Sequence, residues 1–180
     1  MRKYIFIICL SALTLAIGYN VSAQDLAHSK IDSVNSSYDE QNPVVTPDGS
    51  KLFFTRSGHP ENIGGVVDKG DIWFADKLPD GSWSTPQHAG RKINHSSLNG
   101  VMGFSSTGTT IYLLNYLEIT PGSNRGTIRS GLAKSTWNGS EWEQPERLNV
   151  TFFSNKSEEM SGYVTPDETV MVLSIQSYLT

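Results

Sequence analysis

Val45-Thr46-Pro47-Asp48-Gly49, followed at once by Ser50-Lys51-Leu52-Phe53-Phe54, decides the fold, because the same pattern returns further along the chain. At an offset of 59 residues, Phe104-Ser105-Ser106-Thr107-Gly108 falls on the first five positions and Ile111-Tyr112-Leu113 on Leu52-Phe53-Phe54. The match runs from Pro43–Pro86 to Met102–Pro145 without a gap, putting Trp83 on Trp142 and Pro86 on Pro145. A third copy opens at Glu158-Glu159, the counterpart of Asp39-Glu40, and continues through Val164-Thr165-Pro166-Asp167 into Val170-Met171-Val172-Leu173 at an offset of 119. Such self-similarity is the signature of a repeat architecture, in which each unit buries its faces against its neighbours.

Each copy divides into four short apolar segments, which in the first are Pro43 to Thr46, Lys51 to Arg56, Asp71 to Asp76 and Trp83 to Pro86. Pro47-Asp48-Gly49 and Pro79-Asp80-Gly81 supply the fixed φ, the side-chain acceptor and the permissive glycine of tight reversals. Asn138-Gly139 is a hairpin signal at the second position in copy two. No window of ten or more residues after the N-terminal segment carries an apolar 3.6-residue period, so the expected class is all-β. Four antiparallel strands repeated as a unit predict a β-propeller, incomplete here: two full blades and part of a third, near residues 35–94, 95–149 and 157–180. A duplicated sandwich is the competing architecture. The period exceeds the roughly 40 to 45 residues of a typical blade by about 15. The excess falls between strands two and three, at Ser57 to Gly70 and Tyr116 to Arg129. In a meander that connection and the junction Asn94 to Asn99 emerge on one face. Two complete copies and half of another predict that the chain is the N-terminal part of a longer protein.

The run Glu40-Gln41-Asn42-Pro43-Val44-Val45-Thr46-Pro47-Asp48-Gly49-Ser50-Lys51-Leu52-Phe53-Phe54-Thr55, followed by Asp71-Ile72-Trp73-Phe74, resembles the WD40-like propeller repeat of TolB-type periplasmic proteins. Asn35-Ser36-Ser37-Tyr38-Asp39-Glu40, Gly58-His59-Pro60 and the Trp-Ser-Thr-Pro ending resemble propellers of exported Bacteroidetes proteins, which often carry an OmpA-like domain that grips peptidoglycan. The resemblance implies a scaffold or recognition module of the cell envelope.

The N-terminus fits export. Arg2 and Lys3 precede an apolar run, Tyr4 to Ile17, that is too short to span a bilayer, and Val21-Ser22-Ala23 offers a cleavage site before Gln24. Residues 1–23 are thus expected to be a signal peptide and 24–34 a linker, giving a periplasmic or outer-membrane-associated protein with no transmembrane segment after cleavage. Cys9 lies within the leader, so the mature chain has no thiol for a disulfide, a metal or a nucleophile. Loss of Arg2 and Lys3 takes the formal charge from −4 to −6, and Lys51, Lys69, Lys77, Arg91, Lys92, Arg125 and Arg129 are scattered. Nucleic acid, which demands a clustered basic face, is not an expected partner.

Four histidines, His28, His59, His88 and His95, lack the spacing of a zinc motif, and Glu61, Asp68 and Asp71 lack that of a calcium loop. Asp71 is expected to close the insertion and start strand three. Neither a metal nor a cofactor is expected. The recurrence of Asp39-Glu40 at Glu158-Glu159 favours a structural role at the blade junctions, and Trp83 and Trp142 are expected between blades. The sequons at Asn35, Asn94, Asn138, Asn149 and Asn155 are expected in surface loops. No nucleophile elbow, phosphate-cradling loop or dinucleotide fingerprint occurs. The expected function is non-catalytic binding or scaffolding of a protein or envelope component, such as a peptidoglycan-associated outer-membrane assembly. The insertion face would make the contact, through His59, Glu61, Asn62, Asp68, His95, Asn99, Asn115, Tyr116, Glu118 and Arg125. The alternative is the front part of a glycan- or peptide-hydrolysing enzyme.

Overall fold

A computed structural model describes residues 31–96, 98–115, 117–118, 127–128, 131–151 and 153–176, with the backbone alone at 117–118 and 127–128. The expected leader and cleavage site, Cys9 and the expected linker up to residue 30 lie outside the described residues. So do Tyr116 and Arg125.

Two four-stranded antiparallel meanders follow one another. The first comprises β1 (Asp39–Val45), β2 (Lys51–Ser57), β3 (Asp71–Asp76) and β4 (Gln87–His88), in that spatial order. The second is formed by β5 (Gly100–Phe104), β6 (Thr110–Leu114), β9 (Leu132–Thr136) and β10 (Glu146–Leu148), again in order. Between β6 and β9 stands a short hairpin of β7 (Leu117–Glu118) and β8 (Thr127–Ile128). A final hairpin pairs β11 (Ser161–Val164) with β12 (Met171–Ser174). Among the described residues there is no α-helix, and none of these sheets closes on itself.

The units stack in sequence, β1 lying against β5 and β5 against β11. Alternation along β2 and β6 explains why. Phe53 joins Ile72, Val101, Phe104, Ile111, Leu113 and Ala133 in a core between the two sheets, while Leu52 and Phe54 face away to pack with Val34, Trp73 and Ala75. On β6, Ile111 and Leu113 turn towards the first sheet, and Tyr112 and Leu114 turn towards Met102, Met160 and Val164 under the final hairpin. A central strand buried on both faces has little room for polar residues, and both strands read accordingly.

Register refines the repeat. Both first strands bulge at the same place, between Gln41 and Val44 and between Val101 and Gly103. The offset of 59 holds through the first two strands, but Lys51 pairs with Asp76 whereas Thr110 pairs with Thr136, so strand three sits at an offset of 60. The turn before Trp142 is one residue shorter than that before Trp83, which restores 59. The ungapped alignment thus conceals two compensating one-residue shifts. Strand four also differs from expectation. Trp83 makes only an isolated bridge to Lys77, and the paired strand begins at Gln87. Trp142 does pack between the sheets, with ring centroids 6.2 Å from Phe104 and 6.5 Å from Phe53, but Trp83 lies on the opposite side of the first sheet, against the Val34 cluster.

Candidate functional site

The insertion of the first unit is a built structure. Asp68 closes it, its Oδ2 accepting the Gly64 amide at 2.9 Å and its Oδ1 the Gly70 amide at 2.8 Å, and the Gly58 amide donates to Asp68 O at 2.9 Å. Partial burial pushes the Asp68 carboxyl above the usual carboxylate range, against the opposing pull of the Gly70 amide. Asn62 fastens the base of the loop: its Nδ2 donates to Arg56 O at 2.8 Å and its Oδ1 accepts Trp73 Nε1 at 3.0 Å. His59 packs edge-on between Tyr38 and Trp73, with centroids at 4.8 and 4.6 Å, and its Nδ1 accepts the Glu61 amide. Between these fixtures a 3-10 turn, Gly65–Val67, holds Val66 and Val67 outward, 66% and 86% exposed, beside exposed Ile63.

Asp71 does close the insertion and open β3. Fully buried, it accepts the Ile63 amide (2.7 Å) and His88 Nε2 (2.8 Å) on Oδ2 and Asn99 Nδ2 (3.0 Å) on Oδ1. His88 Nδ1 accepts the Gly90 amide at 3.1 Å, so the ring proton belongs on Nε2, facing Asp71. With both nitrogens occupied, this histidine and carboxylate pair has no free base to offer a nucleophile; it ties β4 to the insertion. Asn94, expected in a surface loop as a sequon, is buried instead. Its amide bridges Ile72 N (2.6 Å) and Ile72 O (3.0 Å), giving the edge of β3 a partner beyond β4.

On the same face, a cavity of about 510 Å³ opens where β1, β5 and β11 converge, lined in part by Gln41, Asn42, Asn99, Asn115, Glu159 and Gln176. Asn115, at φ 60° and buried, donates from Nδ2 to Glu158 O at 2.9 Å. Among the described residues its Oδ1 accepts nothing. A buried acceptor left so costs about 1 to 3 kcal/mol. Lys69, at the end of the first insertion, crosses to Glu158 at 2.8 Å, and this contact raises the lysine pKa.

Glu61 is exposed on this face and His95 is half-buried there, where burial depresses the imidazole pKa. Asn62, Asn99 and Asn115 are buried, so they shape the face rather than stand out from it. Of Glu118 only the backbone, in β7, is described. Sequence reasoning placed Val66 and Val67 within the insertion but passed over them, because the exposure of an apolar pair is set by the fold around it and not by the local sequence. It also passed over a cleft of about 400 Å³ on the opposite face, where Phe53, Phe74, Trp137 and Trp142 meet the Thr46–Ser50 turn. Among the described residues no three His, Cys, Asp or Glu side chains converge as a metal site would require, and no helix is long and apolar enough to cross a membrane. No family model matches the chain, and no curated protein matches it.

Proposed function

We propose that the chain is an exported, non-catalytic binding module of the bacterial cell envelope, built from TolB-like propeller blades, which meets a protein or envelope component with its insertion face. The observation that carries this reading is the tip of the first insertion. Apolar side chains left in water normally mark a contact surface when they are grouped and held, and Ile63, Val66 and Val67 are both. The loop beneath them is fixed by Asp68, Asn62 and Asp71. A tip ordered in advance binds without the added entropic cost of ordering its loop.

Support for the propeller comes from the faces of successive units. Phe53 and Tyr112, at equivalent positions, are 3% and 9% exposed under the unit that follows each of them. Val172, the third equivalent, is 60% exposed, and Tyr163 and Val170 stand bare with it. In a propeller this is the face that the next blade covers.

Residues 24–180 should co-sediment with isolated envelopes of the producing bacterium. The double substitution Val66→Ser, Val67→Ser should abolish that retention with Tm unchanged, since neither side chain is buried. Retention that survives the substitution removes the insertion tip as the contact.

A further inference from the structure

Two Asn-Gly pairs occur in the chain, Asn99-Gly100 and Asn138-Gly139, and the fold treats them in opposite ways. An asparagine before a glycine is open to ring closure, because no side chain on the second residue hinders its amide nitrogen from reaching the asparagine Cγ. In a folded chain the reaction further needs access for water and a side chain free to turn towards that nitrogen. Asn99 has neither. It is buried, its Nδ2 donates to Gly70 O at 3.1 Å, Asp71 Oδ1 at 3.0 Å and Ser96 O at 2.9 Å, and its Oδ1 accepts the His95 and Ser96 amides. Gly100 behind it is paired with Leu114 inside the second sheet.

Asn138 stands in the turn between β9 and β10, where residues 137–141 are all exposed. Among the described residues neither its Nδ2 nor the Gly139 amide has a hydrogen-bond partner. Its Oδ1 accepts the Ser140 amide at 3.0 Å, Ser140 Oγ at 2.9 Å and the Glu141 amide at 3.1 Å. Donors so placed stabilise the oxygen on which negative charge gathers when a nucleophile adds to the carbonyl carbon. The corresponding turn of the first unit shows what a carboxylate does there. Asp80 Oδ1 accepts the Ser82 amide at 2.9 Å and Ser82 Oγ at 2.6 Å, and Gly81 and Gly139 share a left-handed backbone at φ 86° and 103°. Asp80-Gly81 and Asp48-Gly49 are themselves poor substrates for ring closure. Hydrogen bonds, from the Ser82 hydroxyl first in one and the Thr46 hydroxyl first in the other, hold both carboxyls below the usual range, and an ionised carboxylate is a weak electrophile.

We infer that Asn138 is a site of spontaneous deamidation in the folded chain, and that its aspartate product is held in the turn as Asp80 is held in the first unit. The Gly139 nitrogen gives its proton to solvent base and bonds to Asn138 Cγ; the Cγ–Nδ2 bond breaks, and Nδ2 leaves as ammonia with a proton from solvent. Water then opens the cyclic imide at one of its two carbonyls, giving aspartate or the isomer linked through its side chain. The aspartate adds one negative charge beside Glu141. This modification lies away from the insertion face and is independent of what that face binds.

The test incubates residues 24–180 in mildly alkaline buffer, folded in one sample and in concentrated urea in another, and follows both Asn-Gly pairs by peptide mass mapping. In the folded sample position 138 should convert at least about tenfold faster than position 99, whose reaction must wait for the second sheet to open. In urea, which removes that protection, the two should convert at similar rates. Asn138→Asp, the product itself, should melt at the same temperature as the native chain. An Asn138 that converts in urea and stays intact in the folded sample overturns the inference, as does conversion of Asn99 at an equal rate while folded. A lowered Tm for Asn138→Asp overturns the equivalence with Asp80.

Discussion

Asp48 accepts hydrogen bonds from Thr46 Oγ1, the Ser50 amide and Ser50 Oγ, and these hold its carboxyl down at about 2. Asp167 repeats the arrangement with Thr165 and Thr169 and is likewise depressed, by the Thr165 hydroxyl first. A carboxyl whose folded pKa lies below its ordinary 3.8 stabilises the fold above that value and ceases to do so as pH falls towards about 2. The stability gap between the native chain and Asp48→Asn should therefore narrow over that window, as urea melts at successive pH values will record. The third turn differs at one residue. Glu168 takes φ 60° where Gly49 has φ 72° and Gly108 φ 71°, and its carboxylate accepts the Tyr112 hydroxyl. Burial first, and Glu168 second, push the Tyr112 phenol up to about 12. Glu168→Ala keeps the unfavourable φ and loses a charge-assisted bond, so it should cost about 1.5 to 3 kcal/mol and move the Tyr112 titration down. These turns were legible in the sequence because Pro, Asp and Gly act locally. The tie between Glu168 and Tyr112 was not, since it joins two units.

Strands two and three of the first unit stand where the apolar runs place them, because alternation and turn chemistry agree there, whereas strand one begins at Asp39 and not at the expected Pro43. Strand four departs as well, for Trp83 is held by its neighbours rather than by a ladder: Lys77 Nζ lies 4.4 Å from its ring centroid. The sequence likewise places Asn94 in a surface loop, and only the fold reveals that β3 needs its amide as an edge partner. At Gly103 the bulge of β5 brings a neighbouring unit so close that a Cβ there would stand 2.7 Å from Val164 O. Backbone cannot swing aside as a side chain can. Gly103→Ala should destabilise the chain by about 1 to 3 kcal/mol. Hydrogen exchange should speed up first in β11 and β12 if the clash acts where the packing places it.

Across the whole molecule, equivalent positions carry different loads according to what covers them. Phe53→Ala should cost about 3 to 5 kcal/mol, because it empties the core between the sheets. Val172→Thr, at the matching position of the bare hairpin, should change stability by less than about 0.5 kcal/mol. Denaturant melts of the two variants distinguish covered from uncovered faces directly. The repeat, the all-β class and the position of the long insertions could be read from the sequence, since each rests on periodicity. What the insertion face presents could not, because the exposure of Val66 and Val67 and the burial of Asn62, Asn99 and Asn115 follow from packing between segments far apart in the chain.

The claim that the insertion face is the working surface is tested most directly by placing a photoreactive amino acid at Val67 and, in a second variant, at Ser140 on the opposite face, in the chain expressed in its own cell. Adducts from position 67 that disappear when Ile63 and Val66 are changed to serine, with none from position 140, are the predicted result. Adducts from position 140 alone, or equally from both, would contradict the account.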